Sequence, residues 1–411
     1  MANNKRTYAQ VDDEEQKKLK KKALDSALRV RNQQRGLRDF GVGALKNLPG
    51  SIAVVQAFMK AVNWKQAQSE VLEGLNNTVV IVGQPNSGKS TLFNKLKGQN
   101  LSPVSAQVGT TKTLVRTDFG PFTLVDTPGH LPSVMESGMD QASVIVFLVD
   151  AASGLQADDR ELYETIKKLK KPTIIAVNKV DTLKGGEGGE QFATEVAVLL
   201  SAVGVIPISG KTGANVVEEL IPAIIEASPE AALAIGRELP TFRRQAAQKI
   251  IRNATLLTLT AGLEPIPFID IPIILGVQAR LVLKMAALYG ESMDDSSARK
   301  QARELIAAMV GGLGMRYVAE QAAKLVPFGG DFVAGAIAAA STWSMGEVVL
   351  EYYEGGKKIK PGRMRQLYLD FYRRFRRENK IEELNREIAE DNTPPPALPE
   401  PREKVLEEGT A

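Results

Sequence analysis

"TVVIVGQPNSGKSTLFNKLKG", residues 78–98, decides the fold of the central part of this chain. Its first five residues are a β-branched run of the length and character of a strand buried on both faces. Gly83 to Ser90 fit the pattern G-x-x-x-x-G-K-[ST], and Leu92, Phe93 and Leu96 then recur at helical spacing. Strand, glycine loop and helix in this order set backbone amides and a helix N-terminus around an anion. Gly83, Gln84, Pro85, Asn86, Ser87, Gly88, Lys89, Ser90 and Thr91 are therefore expected to surround the phosphates of a nucleotide. Lys89 would reach the β- and γ-phosphates, and Ser90 would ligate Mg2+.

Outward from this stretch, short apolar runs alternate with amphipathic segments. "FTLVD", "SVIVFLVD", "TIIAVN" and "VIPIS" read as further buried strands, which predicts a doubly wound α/β domain over residues 77–229. In "DTPG", Asp126 would hold Mg2+ through water and the Gly129 amide would meet the γ-phosphate. "VGTTKT" precedes that strand; Thr111 is the first choice for a second Mg2+ hydroxyl ligand, with Thr110 its competitor. In "NKVD", Asp181 can accept from both N1–H and the 2-amino group of guanine, donors that adenine does not offer there. Asn178 would brace the site and contact N7, while the Lys179 stem covers the purine face. In "SGK", Ser209 to Lys211, Gly210 would supply a backbone N–H to guanine O6.

Together "GQPNSGKS", "VGTT", "DTPG", "NKVD" and "SGK" resemble the P-loop GTPases of the Era/TrmE type, over about 150 of the 411 residues. The resemblance implies Mg2+-dependent hydrolysis of GTP to GDP and phosphate, and a GTP-dependent homodimer. Asn86 matches the position at which several such proteins coordinate K+, implying potassium stimulation. Gly210 departs from the pattern, which usually has alanine there. His130, the one histidine of the chain, follows Gly129. It is a catalytic candidate because D-x-x-G-H in translation factors places a water-positioning histidine there. In Era/TrmE-type proteins that side chain is commonly apolar, so His130 could equally cap the next segment or face solvent.

The chain has no cysteine, which excludes disulfides, thiolate metal sites and thiol chemistry. Its start is charged and lacks the apolar core of a secretory signal, and its uncharged runs reach only 15 residues, as at Phe332 to Gly346. A cytoplasmic protein, peripheral at the inner face of the cell membrane, is expected. The net charge of +4 conceals segregation: residues 1–76 carry 14 Lys/Arg against 8 Asp/Glu, 357–380 carry 10 against 2, and 381–411 carry 3 against 9.

The full expectation is an α/β P-loop GTPase domain with N-terminal helices and a C-terminal all-α domain. Residues 1–76 form a basic helical region, 77–229 the GTPase domain, 230–356 an Ala/Gly-rich helical hairpin domain, 357–390 a basic amphipathic helix and 391–411 a disordered acidic, proline-rich tail. Two Pro-Phe breaks, "EPIPFIDIP" and "KLVPFGGDF", suggest two related hairpins, with Asp270 and Asp331 as helix caps. The Ala/Gly-rich part resembles the YcjF-like helical domain. In "RMRQLYLDFYRRFRRENK", Met364, Leu367, Tyr368, Phe371, Tyr372 and Phe375 form one stripe and Arg373, Arg376 and Arg377 lie largely elsewhere. Such a helix fits an anionic membrane surface, the protein's own core, or RNA and the ribosome. The RNA reading lacks the strands of a KH domain around Gly311 to Gly314.

Overall fold

The computed structural model describes residues 60, 62–75, 78–98, 110–111, 115–126, 139, 142–183, 188–261, 271–293, 296–310, 330–378 and 380–384. In chain order these form α1 (Trp64–Leu75), β1 (Thr78–Gly83), α2 (Lys89–Lys97), β2 (Thr110–Thr111), β3 (Val115–Phe119), β4 (Phe122–Asp126), β5 (Ala142–Asp150), α3 (Ala157–Lys168), β6 (Thr173–Asn178), α4 (Gly188–Leu200) and β7 (Val205–Pro207). A helical series follows: α5 (Ile221–Ala227), α6 (Pro229–Glu238), α7 (Arg243–Ala261), α8 (Ile271–Leu288), α9 (Ser296–Val310), α10 (Gly330–Glu354) and α11 (Pro361–Arg377).

The seven strands lie in the order β2-β3-β4-β1-β5-β6-β7. The five from β4 to β7 are parallel, as their apolar runs predict, and β2 and β3 add an antiparallel edge. That edge is a correction. "VRTDF" of β3 alternates polar and apolar residues and is not one of the apolar runs, but a turn at Gly120 folds it back onto β4, from Val115 opposite Asp126 to Phe119 opposite Phe122.

Period-2 alternation divides the sheet between two cores. Val80 and Val82 of β1 join Ile145, Phe147 and Val149 of β5 beneath α3 and α4. Val79 and Ile81 join Val144, Val146 and Leu148 in a second core that runs without a break into the helical series. Helix α6 lies on this face, with Ala231, Ala232, Leu233 and Ile235 buried. Ser228 caps α6, its Oγ accepting from the Glu230 and Ala231 amides. The helical domain is thus built onto the sheet.

Helix α1 departs from the expected separate N-terminal region. It buries Trp64, Ala67 and Val71 in the same core, and the Gln68 amide donates to the Met293 carbonyl. Arg280 of α8 clasps Glu70 with two N–H groups, one of them at 3.0 Å. Arg303 of α9 stacks over Trp64 at 5.1 Å. Helix α11 likewise docks: Met364, Tyr368 and Phe375 are buried, and Trp343 of α10 meets the Phe371 and Phe375 rings at 5.8 and 5.5 Å. Between α8, α10 and α11, Gln278 donates to Thr342 Oγ1 at 3.1 Å and to Ser341 Oγ at 3.3 Å, while Ser341 and Tyr368 share a 2.8 Å bond. Asp331 falls within the first turn of α10, one residue past its start, rather than before it. Asp270, both Pro-Phe breaks, Gly311 to Gly314, the acidic tail and all of residues 1–59 lie outside the described residues.

Candidate functional site at the strand ends

The glycine loop leaves the C-terminal end of β1 and enters α2 through Gly88, whose φ of 88° is left-handed. A side chain there would be strained, and its Cβ would also collide with the Asn178 amide. Asn86 at the loop tip is exposed and also left-handed, at φ 66°, a conformation asparagine tolerates better than most residues. Lys89 is buried and its Nζ donates to the Gly83 and Gln84 carbonyls, each at 3.0 Å. Ser90 and Thr91 are exposed in the first turn of α2. The Gln84 side chain instead anchors the loop sideways, donating to the Asp158 carbonyl at the start of α3 at 2.9 Å. Next to it, burial pushes the Asp159 carboxyl up, against the Gln156 N–H that it accepts at 3.0 Å.

Asn178, at the end of β6, joins the parts. Its Nδ2 donates to the Ser87 carbonyl at 2.8 Å and its Oδ1 accepts from the Gly210 N–H at 2.8 Å, tying the glycine loop to "SGK" across 1% residual exposure. The Gly210 N–H expected at guanine O6 is engaged by Asn178 in this structure, so that contact needs the bond to be shared or released. Gly210 itself fits tightly: a Cβ there would lie 3.0 Å from the Leu92 N and 3.1 Å from its Cα. Ser209 Oγ donates to Asp181 Oδ1 at 2.6 Å, orienting a carboxylate that is otherwise exposed, and accepts from the Thr212 amide. Lys211 lies exposed beyond it.

Sequence reasoning missed Asp150. It ends β5 opposite Asn178, and its Oδ2 pairs with Lys179 Nζ at 2.7 Å. The signal was an acid closing the apolar run "SVIVFLVD" at the C-terminal end of a strand, where open α/β folds bind ligands.

The metal-side residues are gathered less completely. β4 runs beside β1, Ile81 opposite Leu124, so Asp126 ends its strand next to the glycine loop. Thr111 lies in β2 opposite Arg116 of β3, which in turn faces Val125. Two strand spacings, about 10 Å, therefore separate the Thr111 backbone from β4. Gly129 and His130 lie outside the described residues.

Residues 78–179 match the family model described as a 50S ribosome-binding GTPase, and residues 227–377 match a domain of unknown function, DUF697, the YcjF-like type. GTPase Era of Aquifex aeolicus is 31% identical over 202 residues, 44% of this chain and 67% of that protein. The chain belongs to the Era/Der-like GTPases. GTPase Der of Alkaliphilus oremlandii is 40% identical over 129 residues, 28% of this chain and 29% of Der, so the chain spans less than a third of that relative. A crystal structure of Aquifex aeolicus Era bound to GDP and aluminium fluoride is 28% identical, covering 44% of this chain and 67% of that one with a TM-score of 0.30. A structure of Era with MgGDPNP and a 16S ribosomal RNA segment is also 28% identical, with coverage of 44% and 66% and a TM-score of 0.30. The DUF697 match spans α6 to α11, so in this Era/Der-like chain the basic helix falls within the matched helical domain rather than after it.

Proposed function

We propose that the protein binds GTP at the ends of β1, β4, β5 and β6 and hydrolyses it to GDP and phosphate, acting as a nucleotide-dependent switch. One observation carries this reading: Asn178 locks the phosphate loop to the base loop, beside an Asp181 carboxylate held by Ser209. Phosphate recognition and guanine recognition are thereby built as one unit. Gly83 to Thr91 would receive the phosphates. Asn178, Lys179, Asp181 and Ser209 to Lys211 would receive the base.

Ser90 and Asp126, with Thr111 after movement of its strand, are hydroxyl and carboxylate donors suited to Mg2+, a hard cation. Bound there, Mg2+ would supply charge neutralisation on the β- and γ-phosphates. The exposed Asn86 amide is where K+ would add a second positive charge, and G-domain homodimerisation would accompany GTP.

The switch would report to an anionic membrane surface through α11. Its apolar stripe packs on the protein's own core, so α11 itself offers a bilayer no apolar anchor and its attraction must be electrostatic. Arg363, Arg365, Arg373, Arg374, Arg376 and Arg377 are exposed, each cation being worth about 1 kcal/mol near anionic headgroups. RNA is the second reading, favoured by the ribosome-binding description of the matched family. The same geometry disfavours base stacking, because the α11 aromatics are turned inward.

Co-sedimentation with anionic liposomes and with ribosomes, in GTP and in GDP, tests the partner. Pelleting with liposomes, lost on Arg376→Glu with Arg377→Glu, is expected; pelleting with ribosomes alone would replace the membrane by RNA.

A further inference from the structure

We propose that Asp150 is a positioning residue for the guanine base, acting through Lys179; this rests on the nucleotide reading above. Lys179 has a left-handed backbone, φ 67°, which turns its side chain back along the glycine loop, its Cε 3.7 Å from where a Cβ on Gly88 would stand. A lysine stem covers a flat base only if its many rotamers are reduced to one. The Asp150 carboxylate does this from the neighbouring strand: Oδ2 holds the ammonium at 2.7 Å, while Oδ1 accepts the Ala152 amide at 2.8 Å and fixes the carboxylate plane.

The pair's setting argues against a stability role. Side-chain exposures of 31% for Lys179 and 14% for Asp150 leave it partly solvated, and such pairs add little to folding. It stands where adjacent parallel strands end, in the crevice that receives ligands in this class of sheet. A cation held over a purine face also retains its attraction for the ring.

The stem touches only the face of the base and is blind to its exocyclic groups. Loss of Asp150 should therefore speed release of guanine and hypoxanthine nucleotides equally, unlike loss of Asp181, which reads the 2-amino group. The experiment follows release of methylanthraniloyl-labelled GDP and IDP from the full chain after mixing with excess unlabelled GDP. Asp150→Ala should accelerate both about tenfold with the melting temperature unchanged.

Asp150→Asn keeps an acceptor for the Ala152 amide but loses the charge, and should be equally fast. Wild-type release from Asp150→Asn would assign the role to the turn and overturn the proposal. On a Lys179→Met background, Asp150→Ala should add less than about twofold; multiplying effects, or acceleration with one base only, would overturn it as well. The wild-type control separates the two readings, since failure to retain labelled GDP over labelled ADP would sink the guanine site itself.

Discussion

In the proposed site, two hydrogen bonds from neutral donors to the Asp181 carboxylate would set the choice of base. Asp181→Asn replaces one acceptor oxygen by a donor that opposes the guanine 2-amino group but matches the 2-oxo group of xanthine. With charged hydrogen bonds at about 1.5–3 kcal/mol each, GTP affinity should fall by two to four orders of magnitude, roughly. XTP affinity should rise; competition binding of the two nucleotides checks it. Gly210 illustrates what the motif alone does not show. Alanine is the usual residue in that motif, yet here its methyl would press on the Leu92 backbone, which cannot rotate away as a side chain would. Gly210→Ala should lift the base loop, loosen the Asn178 bond and cost about 1 kcal/mol, raising the GTP Kd several-fold in titration. Asp150 shows the limit in the other direction: an acid after an apolar run is ordinary in sequence, and only the register of β5 against β6 puts it on Lys179.

At the scale of elements, the strands were legible where their residues are apolar on both faces. β3 was not, because "VRTDF" lacks the continuous apolar run by which the other strands were read. Helix α1 was legible as part of a basic helical region and α11 as an amphipathic helix, while their docking partners were not. The apolar stripe of α11 fits a bilayer and a protein core equally well, since both reward removal from water. Phe375, fully buried, tests the docked state: Phe375→Ala should cost about 3–5 kcal/mol in denaturant unfolding. For α1 the Arg280 hydrogen bonds and charge hold the Glu70 carboxyl below its ordinary value. A depressed folded-state pKa means the Glu70 contribution is fully present above the unfolded value, about 4.3, and is lost as pH falls through the folded value. Glu70→Gln should therefore flatten the acid limb of stability measured below about pH 4.3.

At the scale of the whole molecule, the core under α6 is continuous from β1 and β5 into the helical series. A chain cut to residues 77–229, the domain boundary drawn from composition, would strip α6 and the later helices from the Val79, Ile81, Val144 and Val146 face. That fragment should aggregate or lack cooperative unfolding, and a fragment that unfolds cooperatively and stays monomeric in size-exclusion chromatography would show the helical domain to be dispensable for the fold. In the proposed switch, the same continuity would give nucleotide state a route outward, because α1 precedes β1 in the chain and β1 ends in the glycine loop. For the full chain, GTP turnover should be faster in KCl than in NaCl, with the difference removed in Asn86→Ala; equal steady-state rates in the two salts would exclude the cation role.

Local chemistry was determined by the sequence alone. A glycine-rich loop of the P-loop type and the parallel strands beneath it depend on residue types at fixed short spacing, and one chain shows those directly. Tertiary structure alone decided which surfaces survive folding. It turned the α11 aromatics inward and left the arginines out, drew α1 into the helical core, and set Asp150 beside Lys179 and Gly210 against Leu92. Each of these depends on contacts between residues far apart in the chain, whose free energy is gained only when the intervening segments are folded between them.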